Sequence, residues 1–131
     1  MPSLGMLTIN ALAAADQAIV PVQAHYLAME DMADTLEVIK TIRQGINPAL
    51  TVGGILLTMY QGRTNLCRSI QDEIQAGYGN AFTVFSAPID FSIRVAEHPI
   101  DAASIFEYEP TNPAAKAYSA VAQEVLSYAK E

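Results

Sequence analysis

Apolar residues along this chain follow two alternating patterns, and each pattern predicts a different secondary-structure element. Short apolar runs bounded by glycine, proline or polar residues are typical of buried strands. Three such runs occupy residues 18–22, 55–59 and 82–85. Longer segments with apolar residues three and four positions apart predict helices with one buried face. These segments run from about 29 to 45, from 64 to 76, and from 113 to the end of the sequence.

Capping residues and helix breakers support these boundaries. Thr64 is typical of an N-cap, and Asn112 followed by Pro113 is a cap with proline at the first helical position. Gly45 and Pro48 end the first of these helices. Its first turns carry the acids that a helix N-terminus favours, Glu30, Asp31 and Asp34.

Two further segments carry weaker signals. Residues 6–15 are small and apolar on every side, which predicts a buried helix after a turn at residues 2–5. Residues 92–96 predict one helical turn, and an irregular crossing follows it up to residue 110. Because helices and short strands alternate, we expect an α/β fold. It would be one domain over residues 1–131, with a parallel sheet of about three strands flanked by helices.

Composition narrows the class of protein. Apolar residues make up 51% of the 131 residues and charged residues 16%, a skew toward buried surface. The net charge of −7 opposes nucleic acid and anionic membranes in bulk, although no lysine or arginine precedes Lys40 and three arginines follow Arg43. The single cysteine, Cys67, excludes an internal disulfide and suits a reducing cytoplasm. No basic n-region precedes an apolar h-region, and no apolar run reaches 18 residues, so we expect no signal peptide and no membrane span.

Several motifs resemble one family, the ParA/Soj partition ATPases, which are deviant P-loop proteins. The second strand and its helix start read Leu56-Leu57-Thr58-Met59-Tyr60, then two residues, then Arg63-Thr64-Asn65-Leu66. Other family-like pieces occur in the same order: Pro2-Ser3-Leu4-Gly5, residues 15–23, Arg94-Val95-Ala96-Glu97-His98-Pro99, residues 104–110 and residues 117–126. The resemblance covers nearly the whole chain and corresponds to the C-terminal half of the family.

The resemblance implies specific site residues. It places DNA-contacting arginines at Arg63 and Arg94, and Arg68, one helical turn beyond Arg63, would extend that patch. It places the adenine base of ATP at two strand ends, at Thr58, Met59, Pro88 and Ile89. The full-length family would use ATP and magnesium, dimerise with ATP, bind DNA without sequence preference and respond to a centromere-binding, ParB-like partner. The expected location is the cytoplasm, in association with the nucleoid.

The chain also departs from the family pattern. No G-x-x-x-x-G-K-S/T occurs, so no lysine and hydroxyl are placed for phosphates and magnesium. The loop from Pro88 to Arg94 is two residues longer than the family's and lacks its first arginine, and His25 stands where many members carry an acid. We therefore expect a truncated chain or a half-gene that binds no cofactor by itself, forms homo-oligomers and does not hydrolyse ATP.

Other candidate residues favour structural roles. His25 and His98 have no histidine or cysteine three or four positions away, so we expect no metal site. Cys67 lies within a helix and is typical of a packed thiol. Nothing resembles a nucleophile–base pair, so no catalytic residue is assigned.

Two alternatives stay open. The chain is also compatible with a regulatory or interaction module that pairs with a ParA relative, and with a MinD-like P-loop scaffold. The MinD group ends in a basic amphipathic membrane anchor, whereas the last residues here, 127–131, hold one lysine. Membrane attachment is therefore disfavoured.

Overall fold

The computed structural model describes residues 5–97 and 102–128. In order along the chain, these residues form α1 (Met6–Ala14), β1 (Gln17–Gln23), α2 (Ala28–Gly45), β2 (Thr51–Thr58), α3 (Asn65–Tyr78), α4 (Ile93–Glu97), α5 (Ile105–Tyr108) and α6 (Pro113–Tyr128). The predicted α/β class is confirmed. Residues 2–4 of the turn predicted at 2–5, the candidate His98 and the last three residues lie outside the described residues.

The two strands pair in parallel, as the alternation of elements predicted. The register runs from Gln17 opposite Thr51 to Gln23 opposite Thr58, with a shift between Ala18 and Ile19. Both strands therefore end at the same edge of the sheet. That edge is where ligands bind in open parallel sheets.

The third predicted strand, residues 82–85, does not form as a regular strand. Residues 82–91 instead make two isolated parallel bridges with the chain at and after β2, Val84 with Ile55 and Asp90 with Tyr60. The Phe85 amide donates to the Ile55 carbonyl, and the Ile89 amide donates to the Leu57 carbonyl. The segment therefore uses twice as many residues as β2 to cover the same length of sheet edge. The extra residues bulge away from the sheet.

The cause of this bulge lies in its own residues. Pro88 has no N–H to donate to a strand ladder. Ser86 is held instead by α6, because its amide and its hydroxyl both donate to Oε1 of Glu124, the amide at 3.3 Å. The segment from 83 to 91 thus follows the edge of β2 without becoming a strand.

Helices cover both faces of β2 and one face of β1. On one face, α2 and α3 pack on Val20, Val22, Ile55 and Leu57. On the other face, α6 packs on Leu56 together with Phe85 and Ile89. This alternation of Ile55, Leu56 and Leu57 between two cores is the expected period of a strand buried on both faces.

Helix boundaries agree closely with the sequence pattern in α2, α3 and α6. The Thr64 cap is confirmed, because its hydroxyl accepts the amide of Cys67 at 3.3 Å. The acids Glu30 and Asp31 lie in the first turn of α2 as predicted. The short α4 confirms the turn expected near 92–96, whereas α5 was not predicted.

The first helix forms where predicted, but the prediction that it is buried is wrong. None of its residues is buried, and Met6 and Leu7 are 71% and 85% exposed. Ile9 and Leu12 pack against the α2–α3 core on one side only. Asn47 fixes the end of the helix, since its amide donates to the carbonyls of Leu12 and Ala15 at 3.0 and 2.8 Å.

Candidate functional site

The carboxyl end of the sheet holds a cavity of about 360 Å³, here called the strand-end cavity. Gln23 at the end of β1 and Thr58 at the end of β2 both line it, and Ile89 and Val95 supply apolar wall. Its volume is within the range of roughly 300–1,000 Å³ that small-molecule sites occupy. Apolar walls with a few polar groups suit a flat heteroaromatic ring.

The backbone around this cavity is tied to the sheet. The amide of Ile89 donates to the Leu57 carbonyl at 2.8 Å, and the amide of Tyr60 donates back to Ile89 at 3.0 Å. Between them, Met59 has a positive φ of 52°, which is unusual for a residue with a side chain. Such conformations persist where the surrounding structure imposes them, and they cluster at ligand sites.

The structure brings three of the four predicted base-pocket residues together. Thr58, Met59 and Ile89 line the strand-end cavity, and Pro88 does not. Pro88 lies in the bulge before Ile89, so it is one residue away from the cavity wall. Whether the three bind a base stays a prediction.

A second cavity of about 510 Å³ adjoins the first and contains Arg63; we call it the Arg63 cavity. Gly62 and Pro113 also line it, and Asp90, Phe91 and Ser92 belong to the walls of both cavities. Arg63 is exposed, and within the described part of the chain it makes no ion pair. Its guanidinium is available to an anionic ligand.

Arg94 differs from Arg63 because acids surround it. Its Nη1 donates to the Tyr108 hydroxyl at 3.4 Å and to Glu97 at 3.3 Å, and its Nε lies 4.0 Å from Glu109. The hydrogen bond to Tyr108, followed by the charges of Tyr108, Glu97 and Glu109, raises the pKa of Arg94 above its ordinary value. Arg94 stays charged, but an anion would have to displace these partners.

Arg68 has a local partner. It lies in α3, and its Nη2 donates to Oδ1 of Asn65 at 2.7 Å, one helical turn away. Asn65 is neutral, so the charge of Arg68 is not compensated by this contact. Arg63 precedes the N-cap Thr64 and so lies outside α3, and whether Arg68 extends its patch stays a prediction.

The role of Asn112 beside the Arg63 cavity was not predicted from the sequence. Asn112 is 6% exposed and organises the floor of the Arg63 cavity. Its amide donates to Ser92 at 3.2 Å and to Glu109 at 2.9 Å, and its oxygen accepts the Ala114 amide at 2.9 Å. The sequence showed only its capping role, because its partners are distant in the chain.

The remaining candidates have structural surroundings. Nε2 of His25 lies 3.9 Å from Asp31, and its Nδ1 accepts the amide of Leu27 at 3.2 Å. Cys67 is buried, with Sγ 3.5 Å from the Ala24 carbonyl. Within residues 5–97 and 102–128, no three His, Cys, Asp or Glu side chains are grouped to hold a metal. In the same residues, no helix is long and apolar enough to cross a membrane.

The strand-end cavity suits the base of a nucleotide better than its phosphates. The strand-end cavity has the size, the apolar walls and the Thr58 and Gln23 side chains that a base requires. A triphosphate with magnesium needs glycine amides, a lysine and a hydroxyl in one loop, and this sequence has no such motif. The cavity lining is compatible with a base, and base binding stays a prediction.

Comparison with solved structures defines the class of fold. Cobyrinic acid a,c-diamide synthase from Mycobacterium smegmatis, with bound ADP and magnesium, superposes with a TM-score of 0.77 at 30% identity. The match covers 99% of this chain and 45% of the synthase. A second structure of that enzyme, with an ATP analogue and magnesium, has a TM-score of 0.76. The fold is that of the P-loop ATPases.

Sequence comparison then identifies the relatives. Residues 1–52 match the AAA domain family model. The chain is 43% identical over 130 residues to the chromosome-partitioning ATPase Soj of Thermus thermophilus, and 36% identical over 126 residues to the sporulation initiation inhibitor protein Soj of Bacillus subtilis. These alignments cover 99% and 96% of this chain but 51% and 49% of the relatives. The protein is a ParA/Soj-type relative, as its motifs predicted, and it spans about half the length of the curated relatives.

Proposed function

We propose that this chain forms the C-terminal half of a ParA-type partition ATPase. In that role it supplies the base side of the nucleotide site and the DNA-contacting surface, while the phosphate side belongs to another part of the complete protein. The complete protein would dimerise with ATP, bind DNA without sequence preference and respond to a centromere-binding partner in the nucleoid.

The observation that carries this proposal is the strand-end cavity. Three side chains that the family resemblance assigns to the adenine base, Thr58, Met59 and Ile89, meet in one cavity at the carboxyl ends of the parallel strands. They come from two separate segments of the chain, so their convergence does not follow from sequence proximity. The adjoining Arg63 cavity places a cation beside the same edge.

The proposed DNA surface depends most on Arg63. Phosphate contacts need exposed cations that are free of competing acids, and they position a protein on DNA without reading bases. Arg63 meets this condition, and Arg94 meets it only after releasing Glu97 and Glu109. We therefore rank Arg63 above Arg94 in its contribution, with Arg68 as an extension of the patch.

The test needs a complete ATPase, which a chimaera provides. In Thermus thermophilus Soj, the half that aligns with this chain is replaced by the chain itself, since the two are 43% identical over 130 residues. The chimaera is loaded with ATP, and its binding to duplex DNA is followed by fluorescence anisotropy across a salt series.

We expect Arg63→Glu to weaken DNA binding strongly and Arg94→Glu to weaken it less, for all DNA sequences alike. Three phosphate contacts per chain predict a slope of about −3 in log affinity against log salt, at roughly −0.9 per contact. Each substitution should make the slope shallower. ATP-dependent dimerisation should be unchanged.

Arg43→Glu is the matched control, because it makes the same charge change on an exposed residue in the last turn of α2, which leads to the start of β2 at the opposite edge of the sheet. If Arg63→Glu and Arg94→Glu bind DNA with the affinity and salt slope of Arg43→Glu, the DNA role of these arginines is wrong.

A further inference from the structure

A third cavity, of about 390 Å³, lies away from the strand ends and takes no part in the proposed function. It lies between α2, α3 and the start of β2, and we call it the α2–α3 groove. Its walls are mainly apolar and are formed by Leu36, Ile39, Leu50, Val52, Tyr78 and Phe82. Ile39 and Leu50 form a closed floor, because they are 5% and 0% exposed.

The groove is elongated along α2. Its lining residues on that helix run from Ala33 to Arg43, which is about 15 Å at the helical rise per residue. The opposite wall holds two aromatic rings, and a turn fixes their spacing because the Phe82 amide donates to the Tyr78 carbonyl at 2.9 Å. A groove of this length accommodates side chains from three turns of a helix.

The charged side chains that line the groove are mainly basic. Lys40 and Arg43 lie at the end formed by the last turns of α2, and Glu37 lines the groove beside them. Lys40 pairs with Glu37 at 3.2 Å, but Arg43 makes no ion pair among residues 5–97 and 102–128. One uncompensated cation therefore stands beside an apolar groove, in a chain whose net charge is −7.

We propose that the α2–α3 groove binds an acidic amphipathic helix of a partner protein. Apolar residues of the partner at helical spacing would fill the space over Ile39 and Leu50, and its carboxylates would face Lys40 and Arg43. Apolar anchors in a groove supply affinity in this mode of recognition, and complementary charges set orientation and association rate.

The test uses the full 131-residue chain and two synthetic peptides. Both peptides are 14-residue amphipathic helices with the same leucine stripe; one carries glutamate and the other lysine on its flanks. Binding is measured by anisotropy of the labelled peptides and by amide chemical-shift changes in the chain. We expect saturable binding of the glutamate peptide, with shifts in residues 36–43 and 78–82, and at least tenfold weaker binding of the lysine peptide.

Substitutions then locate the site. The double variant Lys40→Glu, Arg43→Glu should weaken the glutamate peptide at least tenfold, while Lys116→Glu, on an exposed part of α6, should leave it unchanged. Ala33→Trp, which adds bulk at an exposed position on the groove, should block binding without altering the core. Raising the salt should weaken binding, because the Debye length falls from about 10 Å at 0.1 M to about 3 Å at 1 M.

Three results would overturn the proposal. They are equal binding of both peptides, no binding of the glutamate peptide at millimolar concentration, and binding that the double charge variant leaves intact. Octanoate is tested in parallel. If it reproduces the shifts and displaces the peptide at equal concentration, the groove is a site for small apolar carboxylates instead.

Discussion

Gly54 shows how one residue fixes the packing beside the site. A Cβ atom added to it would lie 2.6 Å from Cε2 of Phe85, closer than real Cβ atoms approach. Phe85 is 4% exposed and belongs to the α6 core, so its ring has little room to move. We expect Gly54→Ala to destabilise the chain by about 1–3 kcal/mol, the usual cost of overpacking. Urea denaturation measures this change.

Gly77→Ala is the matched control. Gly77 lies in α3 with nothing within 4 Å of an added Cβ, so alanine should stabilise the chain by about 0.5–1 kcal/mol. An unchanged urea midpoint for Gly54→Ala would contradict the packing described. The sequence showed that glycine brackets the strand, but it did not show that Phe85 is the reason, because Phe85 lies on a distant segment.

The start of α6 depends on Asn112, which joins three elements. It caps the helix through the Ala114 amide and holds Ser92 and Glu109. Asn112→Ala should cost about 0.5–2 kcal/mol for the cap alone, and the broken contacts add to this. Asn80→Ala, at an exposed asparagine, should change stability by less than about 0.5 kcal/mol. Equal effects of the two substitutions on the urea midpoint would show that Asn112 is not a structural hub.

The elements differ in how far the sequence predicted them. Where local signals and packing agree, as in α2 and α3, type and boundaries were predicted well. The strand predicted at residues 82–85 did not form, although its apolar pattern suits a strand. Pro88 cannot donate to a strand ladder, and the Ser86–Glu124 hydrogen bonds hold the following residues away from the sheet. The helix α1 was predicted correctly as a helix and wrongly as buried, because apolar composition does not show which surfaces are covered.

In the candidate site, positions that follow from sheet topology were predicted, and contacts between distant segments were not. Thr58, Met59 and Ile89 follow strand ends, so parallel topology places them together. Two partners of Arg94 come from α5 and the residue after it, Tyr108 and Glu109, and the sequence did not predict that helix. The Asn112 contacts likewise depend on how separate segments meet.

For the chain as a whole, the sheet edge at β1 dominates the expected behaviour. Within the described residues, β1 pairs with β2 alone, and Ile19 on it is 42% exposed. Exposed strand edges with apolar side chains recruit further strands. We therefore expect the purified chain to form a dimer or higher oligomer by light scattering at high micromolar concentration. Ile19→Lys should shift it to a monomer, and a wild-type chain that is already monomeric would count against this expectation.

The central claim is that this chain holds the base side of an ATP site without its phosphate side. Isothermal titration calorimetry with magnesium and ATP, on the chain alone and on the Soj chimaera, tests it most directly. Phosphoryl transfer depends on neutralising and positioning the phosphates, so only the chimaera should bind ATP tightly and hydrolyse it. Micromolar affinity of the isolated chain for ATP, or a folded chimaera that cannot bind ATP, would contradict the account.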